Sequence, residues 1–284
     1  MDALISSFLV GEPKSSPSTA MVPAPKDLKC VFVTMLTSDS FGPGVSALCK
    51  SLRKRNAAHA IFVMVTEDVS KTIVKQLERL SDGQILVSKI VSPYVDPSAA
   101  AADEADGKSG GGSVKKAPSW LGSDMTKLSL WSLTQFDKVV YIDADCLVME
   151  NIEALFGRET DFAAAPDVFP PDKFNAGVMV LTPSLAVYQS MLEALPRLPS
   201  YDGGDTGFLN AFFPTWYSMG PEKRLPFGLN AQRTLYWMTY KDRPGYWESI
   251  SPLSIIHFSS SPKPWEQTDK KGDLEMLWWM ESMS

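Results

Sequence analysis

Between Cys30 and Val91 three compact apolar runs alternate with two stretches of helical periodicity, and this alternation restricts the fold more than any other feature of the chain. The run around Cys30-Val31-Phe32-Val33-Thr34-Met35 is apolar and rich in β-branched residues, which predicts a buried strand. Turn residues Ser38 to Gly44 follow, with a helix start near Pro43 and an apolar face of Val45, Leu48, Cys49 and Leu52. Ala60–Val65 reads as a second strand. Val69 to Leu80 reads as a second helix with Ile73, Val74, Leu77 and Leu80 inward, and Gln84–Val87 with Ile90-Val91 as a third strand. The pattern predicts an α/β fold with a mostly parallel central sheet flanked by helices. Further on, Asp124 to Leu133 reads as a helix and Lys138–Ile142 as a central strand, with more short strands at Phe162–Ala165 and Ala176–Leu181. Helices are expected over Ser184–Leu195 and Thr206–Phe213, and a late strand over Ser254–Phe258.

The chain has 284 residues, 44% of them hydrophobic, enough to bury one large core. Its net charge of -6, without a basic block, argues against nucleic-acid binding by phosphate neutralisation. No apolar run approaches the ~20 residues of a membrane helix. Three scattered cysteines suit reduced thiols, so a cytoplasmic protein without membrane or nucleic-acid partners is expected. Residues 1–27 read as a flexible arm and 28–284 as one domain interrupted by a mobile insertion over 97–116. That insertion contains Gly107-Lys108-Ser109, but position 102 is Ala where a phosphate loop needs Gly, and no strand leads into it.

Chemistry concentrates where the strand Val139–Ile142 stops at Asp143-Ala144-Asp145. Ligands of parallel sheets bind beyond the carboxyl ends of strands, and carboxylates at i and i+2 of an extended chain share a side. They can hold a hard divalent cation with diphosphate oxygens, or simply cap the next helix. An aspartyl-phosphatase reading fails, because Leu147 stands where that motif wants Thr or Val. Of the two histidines, His59 reads as surface, while His257 ends the late strand as either a core imidazole or a third metal ligand. Lys263, between Pro262 and Pro264 in a stiff loop, is placed to neutralise phosphate oxygens.

Several blocks together resemble the glycogenin branch of family 8 glycosyltransferases: Leu121-Gly122, Met125-Thr126-Lys127-Leu128, Trp131 to Phe136, Asp143-Ala144-Asp145, Phe174-Asn175-Ala176-Gly177-Val178, Asp202-Gly203-Gly204-Asp205, His257-Phe258 and Lys263-Pro264-Trp265. The resemblance implies a GT-A fold and retaining transfer of a hexose from UDP-glucose or UDP-galactose, with Mn²⁺ or Mg²⁺. It implies Asp143, Asp145 and His257 as metal ligands, and Met35, Thr37 and Phe41 around uridine, Phe41 replacing the family's Tyr. Lys127, Ala144, Asn175, Ala176, Asp202, Asp205, Ser260 and Lys263 are implied donor contacts, with Asp205 nearest the anomeric carbon and Asp202 and Lys127 beside it in the catalytic set. A Gly turn with an Asp cap on the following helix is the structural reading of Asp202–Asp205.

Departures from the family bear on the acceptor. Thr206 stands for Gln and Ser260 for Gly, no Arg upstream of Lys127 is evident beyond Lys115 or Lys116, and Trp237 competes with Tyr236 and Tyr240 for the acceptor-tyrosine slot. The expectation is therefore a homodimeric enzyme acting on a separate glycan or glycoprotein, such as the protein-bound glycan of the adaptor Skp1, with a self-glucosylating primer as the alternative. Losing both Asp143 and Asp145 should abolish transfer and leave the fold largely intact. Retained UDP release by the double Ala variant, with an unchanged circular-dichroism spectrum, counts against the site.

Overall fold

The first strand, β1 (Cys30–Leu36), pairs with a strand on each side, and its residues are apolar toward both faces of the sheet. Phe32 and Leu36 enter one core and Val31 and Val33 the other, the two-residue alternation of a strand buried between layers. A computed structural model describes residues 29–56, 58–80, 85–90, 125–266 and 272–283. The expected arm over 1–27 and insertion over 97–116 lie outside the described residues, as do Leu121-Gly122, Lys115 and Lys116.

From β1 the chain forms α1 (Gly42–Arg55), β2 (Ala60–Val65), α2 (Lys71–Arg79) and β3 (Ile85–Lys89). Pro43 sits in the first turn of α1, where its missing N–H costs nothing. The Ser70 hydroxyl caps α2 by accepting from the Ile73 N–H. Helix α2 is more exposed than its periodicity suggests. Leu77 is fully buried, while Ile73, Val74 and Leu80 pack at the edge of the core.

After the undescribed stretch come a 3-10 segment over Met125–Ser132, β4 (Lys138–Ile142), β5 (Cys146–Val148), β6 (Phe162–Pro166) and β7 (Phe174–Leu181). Helices α3 (Leu185–Ala194) and α4 (Asp205–Phe212), strand β8 (Ala231–Gln232), helices α5 (Arg233–Thr239) and α6 (Gly245–Glu248), strand β9 (Ile255–His257) and helix α7 (Asp273–Met283) complete the fold. The expected α-helix at Asp124–Leu133 is a 3-10 run. Every residue from Met125 to Trp131 is buried, so the segment has no solvent face and packing sets its winding.

The main sheet runs β3-β2-β1-β4-β7-β6. The first four strands are parallel, and β7 is antiparallel to both of its neighbours. A second sheet, β5-β9-β8, stands beyond the end of β4. Its antiparallel register sets Cys146 opposite His257, which carries a residue from far downstream to the carboxyl end of β4.

The Trp-rich tail packs back onto the domain. Trp278 is buried with its ring 5.5 Å from Trp265 and 5.3 Å from Trp279. Helix α7 is tied to α1 by the Arg55–Glu281 ion pair at 2.9 Å, and to α5 by the fully buried Arg233–Glu275 pair at 2.7 Å. Hydrogen bonding from Arg55 holds the Glu281 carboxyl below the usual glutamate value despite partial burial. A depressed folded value gives stability that is complete above the unfolded-chain value and is lost as pH falls through the folded one. The urea-midpoint advantage of wild type over Glu281→Gln should therefore hold at neutral pH and shrink below about pH 4.3. An advantage undiminished well into acid would contradict this role for the pair.

Candidate active site

Strand β4 delivers Tyr141 and Asp143 to one side of the sheet, and the chain turns immediately so that Asp145 follows. The Asp143 N–H donates to the Gly177 carbonyl at 2.8 Å, anchoring the turn to β7. Both carboxylates face His257, whose Nε2 lies 3.8 Å from Asp143 Oδ2 and 3.2 Å from Asp145 Oδ1. Both aspartates do face His257, but a turn closed by the Cys146 N–H donating to the Asp143 carbonyl at 3.1 Å brings them together, and not the extended chain expected.

Each of these three side chains has its other polar atom taken. Asp143 Oδ1 accepts from the Tyr141 hydroxyl at 2.5 Å and pairs with Lys127 Nζ at 3.0 Å. Asp145 Oδ2 accepts from Lys263 Nζ at 2.6 Å, and Lys263 also donates to the Phe258 carbonyl. His257 Nδ1 lies 2.8 Å from Asn230 Oδ1. Asp143 Oδ2, Asp145 Oδ1 and His257 Nε2 are left turned toward one another. Two hard oxygens and an imidazole nitrogen suit Mn²⁺ or Mg²⁺.

Asp205, the first residue of α4, pairs with Lys127, which also donates to the Ala176 carbonyl at 3.3 Å. Burial alone would discharge Lys127, but Asp143 and Asp205 outweigh it and keep the ammonium charged. Burial likewise opposes ionisation of Asp145, yet His257 and Lys263 hold its carboxyl below the usual range. Asp205 is raised, because burial and repulsion from Asp143 exceed the help from Lys127. The Tyr141 hydroxyl, raised by burial and by Asp143, stays protonated and serves as a donor.

Other expected residues take varied places. Asp202 Oδ1 accepts from the Gly204 and Gly207 N–H groups, each at 2.9 Å, and from the Ser200 hydroxyl. The cap expected on α4 is thus supplied by Asp202 reaching over Gly204, which itself holds the cap position, and Gly203 takes the left-handed turn conformation at φ 77°. Asn175 accepts from Gly177 N–H and Asn230. Ala176 N–H donates to the hydroxyl of Thr206. Phe41 packs edge-on to Trp265 and lies 5.7 Å from Lys263 Nζ. The Ala144 carbonyl and Trp265 close on Gly44, where a Cβ would meet them at 2.6 and 2.7 Å. Met35 packs at the core edge, the Thr37 carbonyl accepts from Thr66, and the Ser260 carbonyl and hydroxyl accept from Arg233. The structure thus joins Lys127, Asp143, Asp145, Asp205, His257 and Lys263 directly, with Asn175 and Ala176 adjoining. Met35, Thr37, Asp202 and Ser260 make their described bonds and contacts outside that cluster.

Three neighbours were not predicted. Tyr141 precedes Asp143 by two strand positions, a spacing that could have revealed it. Asn230 carries no signal beyond its place before β8. Cys146 completes a group with Asp145 and His257 whose ligand atoms lie within 4.8 Å of one another. Burial and both aspartates push its thiol well up, and its sulfur is a softer donor than the oxygens Mn²⁺ or Mg²⁺ favour.

The family profile described as Glycosyl transferase family 8 matches residues 32–269, and the chain belongs to that family. Its fold is shared with glycosyltransferase GlyE of Streptococcus pneumoniae (TM-score 0.64, 20% identity, covering 90% of this chain and 60% of that one). It is shared too with galactosyltransferase LgtC, solved with donor and acceptor sugar analogs (TM-score 0.56, 18% identity, covering 89% and 95%). These likenesses establish the GT-A architecture. Within the family the chain is glycogenin-like. It is 37% identical to rabbit (Oryctolagus cuniculus) glycogenin-1 over 237 residues, 84% of this chain, and spans 66% of that relative's length.

The tight packing of the site generates a test at Gly177. A Cβ there would lie 2.3 Å from His257 Cε1 and 2.6 Å from Nδ1, so Gly177→Ala must displace the imidazole. The variant should lose about 1–3 kcal/mol of stability, as overpacked cores do, and lose Mn²⁺-dependent UDP binding with it. Wild-type binding by the Ala variant would show that His257 is not held where described. Asp145→Ala, by contrast, strands the buried Lys263 ammonium at a cost of about 3–5 kcal/mol, which corrects the expectation that losing both aspartates to Ala leaves the fold largely intact. Asn is the replacement there that separates chemistry from folding.

Proposed function

We propose that the protein is a retaining UDP-hexose-dependent transferase that adds an α-linked glucose or galactose to a separate glycan or glycoprotein acceptor. The observation that carries this reading is the convergence of Asp143 Oδ2, Asp145 Oδ1 and His257 Nε2, each with its remaining polar atom already bonded. A Mn²⁺ ion held by these residues would supply a Lewis acid for the diphosphate leaving group.

The chain's own residues do the rest. Lys263, which donates to Asp145 at 2.6 Å, can turn its ammonium to diphosphate oxygens as the glycosidic bond breaks. Asp205, its carboxylate oriented by Lys127, faces the positive charge developing on the sugar. Whether it acts as an electrostatic stabiliser for front-face attack or as a covalent nucleophile, the same placement serves. Asn175, and Asp202 once its loop contacts allow, hold donor hydroxyls. Met35, Thr37 and Phe41 line the uridine end, and Ala144, Ala176 and Ser260 contribute backbone contacts.

A separate acceptor is favoured over self-priming by the state of the tyrosines. The Tyr236 hydroxyl donates to Asp273 Oδ2 at 2.9 Å, and its ring stacks on Tyr240 at 4.3 Å. Trp237 and Met238, neither with a hydroxyl, are the exposed residues between them, the Trp237 ring lying over Arg233.

Acceptor-free donor hydrolysis tests the reading. With Mn²⁺, UDP release is expected from UDP-glucose or UDP-galactose, abolished by chelator and reduced about 10²–10³-fold in Asp205→Asn. The intact mass should stay unchanged. A ladder of added hexoses centred on Tyr236 or Tyr240 would instead establish self-glucosylation, and no release from any UDP-sugar would overturn the enzyme reading.

A further inference from the structure

His257 can serve a cation only through a nitrogen that carries no proton, and its neighbours decide which nitrogen that is. Backbone groups, whose donor and acceptor identities are fixed, anchor the chain of contacts. The Gly177 N–H, 2.9 Å from Asn175 Oδ1, can only donate, so that side-chain atom is the oxygen. The other end of the Asn175 amide then donates to Asp167 Oδ2 at 3.4 Å. Asn230 meets the same Asn175 oxygen at 3.0 Å and the Asn175 backbone carbonyl at 3.5 Å. Both are acceptors, so the Asn230 atom facing them is its NH₂. The Asn230 oxygen must therefore face His257 Nδ1, at 2.8 Å, and an oxygen there requires a proton on Nδ1. Nε2 is left as the nitrogen that faces Asp143 and Asp145, the one that can exchange its proton for a cation.

We propose that Asn230 is a positioning residue that fixes His257 as the Nδ1–H tautomer, so that Nε2 is free for the divalent cation. The proposal rests on the metal-site reading of the proposed function. Asn230 is fully buried and cannot be replaced in this role by water from bulk. It sits at the junction between the 3-10 turn Phe227–Leu229 and β8, and β8 pairs with β9 beside His257, so the amide and the imidazole are fixed in one frame. Gly177 completes it, since the imidazole and the Asn175 oxygen occupy the space of its missing side chain. The relay also joins the imidazole to Asn175, an expected donor-sugar contact, and through Asp167 to Gln232 at 3.1 Å. Partners behind a ligating histidine orient the ring and set its tautomer.

The chain has only two histidines, which makes the test direct. In a His59→Gln background the single remaining imidazole, labelled with ¹⁵N, is read by long-range proton–nitrogen correlation in metal-free protein at alkaline pH, where the ring is neutral and its tautomer defined. Wild-type Asn230 should give the Nδ1–H pattern, Asn230→Leu a shift toward Nε2–H, and Asn230→Asp should restore Nδ1–H through its carboxylate. Titration of Mn²⁺ with saturating UDP, followed by electron paramagnetic resonance, should show affinity weakened roughly 10–100-fold in Asn230→Leu and recovered at least in part in Asn230→Asp. An Nε2–H pattern in wild type overturns the proposal, as does unchanged Mn²⁺ affinity in a folded Asn230→Leu. If wild type shows Nδ1–H but binds no Mn²⁺ with UDP, the functional reading fails and this role falls with it, while the tautomer signal separates that outcome from a failed relay. Should Asn230→Leu not fold, failure of folded Asn230→Asp to give Nδ1–H overturns the proposal on its own.

Discussion

Three carboxylates, Asp143, Asp145 and Asp205, crowd the end of β4 in a largely buried place, and the local architecture follows from the need to give each of them partners. Two lysines from distant segments supply most of that compensation. Lys127 comes from the tightly wound 3-10 run and bridges Asp143 to Asp205, while Lys263 comes from a proline-braced loop and meets Asp145. Three acids against two ammoniums leave the pocket, before His257 is counted, with an excess of negative charge. Such a place is unfavourable for an apolar occupant and suited to a cation that brings its own anionic ligand.

Geometry is delivered by the small sheet rather than the large one. The main sheet fixes where β4 ends, but the imidazole arrives only because β5 turns away after Asp145 and pairs with β9. Buried Arg233 braces the other side. It holds the Ser260 and Pro262 carbonyls at 2.6 and 2.9 Å, and it pairs with Glu275 of α7. The tail of the domain therefore supports the loop that carries Lys263, a direct line from C-terminal packing to the Lys263–Asp145 pair.

The large sheet was legible in the sequence because its strands are continuous apolar runs and its first two helices have clear periodicity. Asp143 and Asp145 were legible because charge at the end of such a run is conspicuous. His257 stood out by scarcity and by resemblance, not by spacing, since its relation to Asp145 depends on the register of two three-residue strands that carry little pattern. The 3-10 segment was misread as α-helix because burial on all sides erases the periodic contrast that distinguishes one winding from another. Asn230 was unreadable for a related reason. A neutral amide acquires a role only when backbone groups from another strand dictate which way it faces.

The central claim is that Asp143, Asp145 and His257 together form one divalent-cation site. Anomalous diffraction from crystals grown with Mn²⁺ and UDP tests it most directly. The account predicts a single strong peak within bonding distance of Asp143 Oδ2, Asp145 Oδ1 and His257 Nε2, with diphosphate oxygens completing the shell. A peak that excludes the imidazole, or bound UDP with no metal beside either aspartate, would contradict it.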